Sequence, residues 1–523
     1  MGIWIGVCSL LVVLALLVTG KMVLNRAGPI LKGRIEETLT ARFDSRVELD
    51  GLNVSILRGL EVSGDGLRIY PPDSVIAAGA GQPLIAVAHF SFHSGIAGLF
   101  VKPMHVKQAR VSGLQINIPP KTIRRQAMEK VKKPRGKIKI EVDEILCDNS
   151  RLIIGTSKPD KDPKDFELRH IELHDVGPNA PWKYQAILVN AVPRGDIRAA
   201  GDFGPWQTES PGDSPVSGHY TFEHADLNTI KGIAGILSSA GDFSGQLNNI
   251  IVDGTTETPN FSLDTAHHPV PLHTRFHAIV DGTSGDTYLR PVSAKLRNAI
   301  FTASGAVINI KGRGHRISLD VDVPGAPLAD FLDLAVETTP PIMTAVISTK
   351  TKLEIPAGKE SVVDKLTLHG AFSLLRIHFS NSKVQDKVDM LSLRAQGEPE
   401  KAKPGAEDVR SRMNGKFEMV RRNLGFSDLV YVLPGARVNL EGIYSLDGHQ
   451  FDFHGKVLTD ASLSEMVDSP WKSLLLKVVS PFFKRKGGGA EIPVSITGTK
   501  SEPKFGLDMF GKHAKNEKPS GNK

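Results

Sequence analysis

His267, His268, His273 and His277 are the densest group of metal-ligand side chains in the chain. Pro269 and Pro271 interrupt any regular ligand geometry, and no carboxylate or thiol pattern at zinc-site spacing accompanies them, so they read as loop and strand histidines. Asp320 and Asp322 stand two apart and would share one face of a strand; acid–base catalysis would need burial or a charged neighbour as well, and a solvated face is the expectation. Gly487, Gly488 and Gly489 follow Lys484, Arg485 and Lys486 but lack the Gly-Lys-Ser/Thr ending of a phosphate loop, which makes them a flexible joint. Only two cysteines occur, Cys8 inside an apolar run and Cys147 alone, too few for a disulfide framework or a thiolate zinc site. The expectation is a chain with no catalytic residues, no metal and no cofactor. A hydrolase whose triad is assembled only in space is the enzyme class left over.

The longest charge run is basic: Lys121, Arg124, Arg125, Lys130, Lys132, Lys133, Arg135, Lys137 and Lys139 share their segment with one acid, Glu129. Two readings stand together, a solvated loop and a site where Arg124, Arg125, Lys130, Lys132 and Lys133 contact lipid headgroups. Net charge is +7 with a pI of about 9.1, and aromatics are 6% of residues, too few for base-stacking platforms, so nucleic acid is not an expected partner.

These residues must be carried by elements, and the first is a membrane anchor. Ile3 to Gly20 has no charge, and Met22, Val23 and Leu24 extend it to the length of a spanning helix if Lys21 snorkels. No Lys or Arg precedes Ile3, and Val18-Thr19-Gly20 is a poor cleavage site, which favours an uncleaved anchor over residues 1–24. Lys21, Arg26, Lys32 and Arg34 would by charge alone hold the bulk of the chain in the cytoplasm, whereas a long domain behind such a helix is often exported regardless, so charge leaves orientation open. Leu31, Ile35 and Leu39 extend the helix as an amphipathic stalk over 25–43.

From residue 44 the period changes to two. Leu67 and Ile69; Leu114, Ile116 and Ile118; Ile138, Ile140 and Val142; Ile317, Leu319, Val321 and Val323; and Ile492, Val494 and Ile496 all alternate with polar neighbours, and Pro324 is expected to stop its strand. Gly218-His-Tyr220, Gly245-Gln-Leu247, Gly305-Ala-Val307, Gly370-Ala-Phe372, Gly415-Lys-Phe417 and Gly442-Ile-Tyr444 look like repeated strand starts whose glycines permit bends. Helical spacing occurs at 224–238 (Leu227, Ile230, Ile233, Leu237), at Leu328–Val336 and at Ser462–Phe483, while 511–523 reads as a disordered basic tail. So much alternation with so few helices fits either a curled sheet that shields something greasy or a second sheet packed on the first.

The stretches "RFDSRVELDGLNVSILRGLEVSGDGLRI", "VKQARVSGLQINIPP", "VPRGDIRAAGDFGPW", "IKGIAGILSSAGDFSGQLNNIIVDGTTETPNFSLD", "VDGTSGDTYLRPVSAKL" and "IPVSITGTKSEPKFGLDM" resemble, in this order, the AsmA family of Gram-negative envelope proteins, relatives of the chorein-like bridge lipid-transfer proteins. The resemblance implies an inner-membrane anchor, a periplasmic body over 44–510, and a long curved β-sheet gutter with an apolar inside. The function it implies is phospholipid transport toward the outer membrane, or outer-membrane biogenesis, with membrane phospholipid as partner. An assembly factor for outer-membrane proteins, with a periplasmic or outer-membrane protein partner, is the alternative. Residues 114, 116, 118, 138, 140, 142, 317, 319, 321, 323, 492, 494 and 496 of the alternating sets would then face acyl chains.

Overall fold

The computed structural model describes residues 46–507 apart from 56–59, 72–75, 77–80, 95–103, 120–139, 156–160, 162, 178–179, 206, 208–209, 338, 406–408, 447–449, 468–484, 486–487 and 500–501, together with residue 40. The expected anchor, stalk and tail lie outside the described residues, residue 40 apart, as do Ile138, the five headgroup candidates and most of Ser462–Phe483. Among the described residues no helix is long and apolar enough to cross a membrane.

The protein is mainly β, and among the described residues 25 strands join in one sheet. β1 (Val47–Glu48) and β2 (Gly51–Ser55) are two pieces of an interrupted strand, both paired to β3 (Leu60–Ile69), and β4 (Ile85–Ser94) and β5 (Met104–Ile118) follow antiparallel. β6 (Ile140–Ile154) then lies parallel to β5, the one parallel step among the described pairs. Antiparallel pairing resumes with β7 (Lys164–Val176), β8 (Trp182–Ala191), β9 (Arg194–Phe203) and β10 (Pro215–Asp226). β11 (Ile233–Ala234) and β12 (Ile236–Gln246) again share one place, beside β13 (Asn249–Leu263). Next come β14 (Val270–Asp281), β15 (Asp286–Leu296), β16 (Ala299–Ile310), β17 (Gly314–Pro327) and β18 (Met343–Ile355). β19 (Thr367–Phe379), β20 (Ser411–Val420), β21 (Asn423–Leu433), β22 (Ala436–Ser445), β23 (Gln450–Thr459), β24 (Glu491–Thr499) and β25 (Pro503–Leu507) complete the sheet. We call the ends of the strands the first rim, where β5 and β6 begin, and the second rim, where they end.

Among the described residues three α-helices with both ends in view lie at the connections: α1 (Leu328–Ala335), α2 (Val362–Lys365) and α3 (Ser382–Ala395). α1 matches the expected helix at Leu328. α3 was not expected, although Asn381 caps it by accepting from the N–H groups of Lys383 and Val384, and Val388, Leu391 and Ala395 recur at helical spacing. Gln385 and Asp389 are buried in α3 but satisfied: Gln385 accepts from the Phe379 N–H at 2.9 Å and donates to Asp389 at 2.8 Å, and Asp389 accepts from the Val409 N–H at 3.1 Å. The main buried cluster sits here, at the second rim, where Leu328 of α1 and Ala395 of α3 join Leu374, Ile377, Tyr431, Leu433, Val438 and Val457 of the sheet.

Three expectations need correction. Residues 224–238 do not form an α-helix; a short 3-10 turn, Leu227–Thr229, gives way to β11 and β12 because Gly232 (φ +101°) and Gly235 (φ +131°) turn the backbone out of helical geometry. Pro324 does not stop β17, which continues to Pro327 across a bulge between Val323 and Ala326. The Gly-x-apolar triplets are not all strand starts: Gly218 and Gly370 are the fourth residues of β10 and β19, but Gly305 and Gly442 stand in mid-strand and Gly245 at a strand end.

Among the described residues the strands form one sheet, and each packs against its ladder neighbours with no second sheet on top of it. Glycines let its strands approach closely: a Cβ on Gly442 would sit 2.2 Å from the Asp452 carbonyl oxygen, whereas one on Gly425 would meet nothing nearer than 3.7 Å. Gly442→Ala should therefore cost about 1–3 kcal/mol by overpacking, and Gly425→Ala should stay within about 1 kcal/mol of the parent. Urea midpoints of the two variants provide the comparison.

Candidate functional site

Because paired residues share a face, the register assigns every rung of the sheet. One row of direct partners runs Val62, Phe92, Ala109, Ile145, Leu173, Tyr184, Gly201, Gly218, Phe243 and Val252. It continues without a break through Ala278, Leu289, Gly305, Leu319, Leu353, Leu368, Met419, Leu424, Tyr444, Phe451 and Gly498. Twenty-one consecutive rungs, one residue from each, contain no charge. At about 4.8 Å per rung the row extends on the order of 100 Å.

The next row belongs to the other face and reads Ser63, Ser91, Arg110, Leu146, Glu172, Gln185, Ala200, His219, Asp242, Asp253, His277. The sheet thus has an apolar and a polar face along its whole length. Glycines and aromatics alternate on the apolar one. The ring of Phe372 reaches Phe426 two strands away, centroids 6.0 Å apart, across Gly415, and Phe426 reaches Phe453 at 5.8 Å across Gly442. All six triplet glycines stand on this face, each opposite an apolar residue, as Gly370 is opposite Phe417 and Gly305 opposite Leu319.

α1 and α3 cover the apolar face only at the second rim. Leu319, Leu353, Phe417, Phe426 and Phe453, farther from that rim, stay half-buried, and among the described residues no second layer covers them. Tyrosines report the dielectric of this face. Burial, with Asp202 adding to it, pushes the Tyr184 phenol up to about 12; burial does the same for Tyr431, whose O–H donates to Ser411 Oγ at 2.8 Å, and it raises Tyr220 and Tyr444 as well.

On the polar face charges meet partners across strands. His277 pairs with Asp253 at 2.8 Å, His219 with Asp242 at 3.1 Å, His170 with Asp148 at 2.7 Å and His89 with Asp65 at 2.7 Å. The four histidines singled out above do not converge: His273 is bound to Glu257, His277 to Asp253, and His268 Nδ1 lies 3.2 Å from the Asp333 carbonyl. Asp322 is opposite Lys350, 3.5 Å away, and Asp320 is opposite Lys352, so these acids are members of the charged face. Among the described residues one group has metal-ligand geometry, Glu144, Glu172 and His174 on β6 and β7. Its members satisfy one another and their neighbours: His174 Nε2 is 2.9 Å from Glu172, and Gln108, itself held by Arg110 Nε at 3.2 Å, donates to Glu144. Cys147 is buried on the apolar face, and burial pushes its thiol up to about 11, which makes it unreactive.

The left-handed Gly113 (φ +65°) interrupts β5 and reverses its phase beyond Arg110, so Leu114, Ile116 and Ile118 fall on the apolar face, in register with Val87, Ile85 and the second-rim end of β6. Ile317, Leu319, Val321 and Val323 line the same face of β17, and Ile492, Val494 and Ile496 that of β24, opposite Val457, Gly455 and Phe453. Ile140 and Val142 stand at the first-rim end of β6, opposite Met104 and Val106. Val142 is opposite Val106, which is buried, and Val176, and both ladders of β6 are interrupted between Val142 and Glu144, beside the left-handed Asp175 (φ +55°), and again at Asn149 (φ +50°), beyond which Leu152 is opposite Ile116. The aromatic ladder Phe372, Phe417, Phe426 and Phe453 is the part of the site that alternation alone overlooked; its signal is the Gly-x-aromatic spacing itself.

No protein-family model, no curated protein and no solved structure matches the chain.

A tyrosine whose folded pKa is raised above the unfolded value of about 10 contributes stability that is complete below pH 10 and lost as pH climbs through the folded value. Between pH 10 and about 12 the protein should therefore weaken, and the double variant Tyr184→Phe, Tyr431→Phe should lose less over that window. Denaturation midpoints at pH 9, 10, 11 and 12, set beside ultraviolet titration of the phenols, measure both.

Proposed function

We propose that the apolar face lines a groove for phospholipid acyl chains, in a non-enzymatic protein of the AsmA kind, anchored in an inner membrane with its sheet in the periplasm. The observation that carries this is the uncharged row through twenty-one rungs on a face that no second sheet among the described residues covers. A dry sandwich core would bury such residues completely, yet Leu319, Leu353, Phe426 and Phe453 are only half-buried. Water is a poor neighbour for them and an acyl chain a good one. At about 0.8 kcal/mol per CH₂, drawing a bare acyl chain through water costs more than about 10 kcal/mol, and a continuous apolar surface removes most of that barrier. The glycines suit the task because they leave width where a side chain would fill it, while the paired charges of the other face keep that side soluble. The resemblance to AsmA proteins supplies the direction, from the inner toward the outer membrane, and the periplasmic orientation that the flanking charges leave open.

Photo-crosslinking amino acids at Leu319 and Leu353 should capture phospholipid in cells, and the same groups at Asp320 and Lys352 should not; equal labelling on both faces would sink the groove. Leu319→Glu should block lipid capture at neighbouring positions while leaving the melting temperature within a few degrees, because the site is open, whereas the same change in a closed core would unfold the protein. For orientation, alkaline phosphatase fused after Lys523 should be active, and an active cytoplasm-only reporter at that place would contradict export.

A further inference from the structure

We infer that the apolar face holds a polar subsite on β12, β13 and β14 that selects a lipid whose acyl chain carries a hydroxyl group part-way along. The inference rests on the groove reading and adds the chain chemistry that this stretch fits. Ser239, Thr256 and Thr274 are direct partners on three neighbouring strands, so three hydroxyl residues stand side by side in one row of the apolar face. Tyr220 reaches the same place from β10. Its partner is Gly241, whose own partner is Gly254, and a Cβ on Gly254 would stand 2.8 Å from the Tyr220 oxygen. The two glycines thus leave the space in which the phenol lies. All four hydroxyl side chains are half-buried.

Their protons do not balance. Ser239 gives its proton to the Thr255 carbonyl at 2.8 Å, so the Tyr220 O–H, 3.0 Å away, donates to Ser239 Oγ and its own oxygen is left to accept. Thr256 and Thr274 lie 2.6 Å apart and share one hydrogen bond between two protons, which leaves one hydroxyl proton with no acceptor among the described residues. A second threonine pair on this face has no such surplus: Thr349 donates to the Ala371 carbonyl at 2.8 Å and Thr351 to Thr349 at 2.8 Å. The row on β12–β14 therefore offers one donor and one acceptor, the complement of a single alcohol group.

Neutral rows flank the hydroxyls, Gly241, Gly254 and Phe276 on one side and Thr258 and Leu272 on the other, so the described part of this face offers no counter-ion to a phosphate or an amine. Position argues the same way. Thr274 is four residues from Val270 at the second rim and seven from Asp281 at the first, roughly 13 Å and 23 Å of strand. A phospholipid keeps its headgroup in water at a rim, with its ester oxygens beside the headgroup, so what reaches this row is the middle of an acyl chain. Covered by plain methylenes, the spare proton would lose its water without gaining an acceptor, the costly case for a polar group; a hydroxyl part-way along the chain takes the place of that water.

The test uses the full chain in detergent, loaded with phosphatidylethanolamine that bears a photoactivatable acyl chain, and reads the competitor concentration that halves labelling. The competitors are dioctadecanoyl phosphatidylethanolamine, the same lipid with a hydroxyl at the middle of each chain, and the same lipid with that hydroxyl beside each ester. The mid-chain alcohol should compete about fivefold better than the plain lipid, as one or two hydrogen bonds allow. In Thr256→Val with Thr274→Val the two should compete to within about twofold of each other; the change removes both partners of a hydrogen bond and keeps their shape, so the melting temperature should move little. Tyr220→Phe, a milder change, should at least halve the preference, and it keeps the inference testable if the valine pair does not fold. Thr349→Val with Thr351→Val should leave the preference as it is. Equal competition by the plain and mid-chain lipids in the wild type, an equal gain for the hydroxyl beside the ester, or a preference that survives both the valine pair and Tyr220→Phe would overturn the subsite and leave the groove standing. Absence of labelling in the wild-type protein would instead overturn the groove reading, and the subsite with it.

Discussion

A β-strand sends successive side chains to opposite faces, and this molecule depends on that alternation being held in phase from one strand to the next. A single slip by one residue would carry a strand's charges into the apolar row. The antiparallel pairing that transmits the phase is local for most of the sheet, with two-residue turns joining β8 to β9, β12 to β13, β15 to β16, β20 to β21 and β21 to β22. Where bulges interrupt a pairing, as between Phe276 and Ala278 on β14 or Val323 and Ala326 on β17, the partner row resumes on the same face. These two bulges therefore bend the sheet without mixing its faces.

Curvature has a steric source in the apolar face. Residues on the inside of a bend must be small or must interlock, and here glycine is paired with an aromatic ring or a branched chain on the neighbouring strand, as with Gly442 and Phe453 or Gly305 and Leu319. Rings then bridge over the glycines, so contact between side chains two strands apart replaces contact between immediate neighbours. Covering helices are confined to the second rim, where the polar side chains of α3 that become buried are matched by backbone groups: Asp389 by the Val409 N–H, and Ser392 by the Pro434 carbonyl at 2.9 Å. Beyond that rim the face keeps its accessibility, and the phenols along it are held protonated to higher pH because their surroundings disfavour charge.

The polar face shows why an inventory of reactive side chains misleads in a sheet of this kind. Histidines and carboxylates are numerous there, but cross-strand geometry pairs them two by two, His277 with Asp253 and His219 with Asp242, which serves solubility and register. The triad Glu144, Glu172 and His174 is the same pattern with a third member, and its hydrogen bonds are already used within the face.

Some of this was legible in the residues alone. Period-two alternation is a local property, so the strands containing Ile317 to Val323 and Ile492 to Ile496, and the common face of each set, follow from the sequence, as does the short helix at Leu328. Alternation carries no sign, however: it says that Ile140 and Val142 share a face and not which one, and the phase reversal at Asn149 is a backbone conformation that no periodicity records. The helical spacing of Leu227, Ile230, Ile233 and Leu237 lost to two glycines and to strand partners supplied by β10 and β13, because tertiary hydrogen bonds outweigh weak local preference. The contact between Lys161 and Asp286 lies farthest from sequence reasoning. Nothing local marks two charges 125 residues apart as partners, and only the curl of the whole sheet, summed over many small strand-to-strand rotations, brings them together.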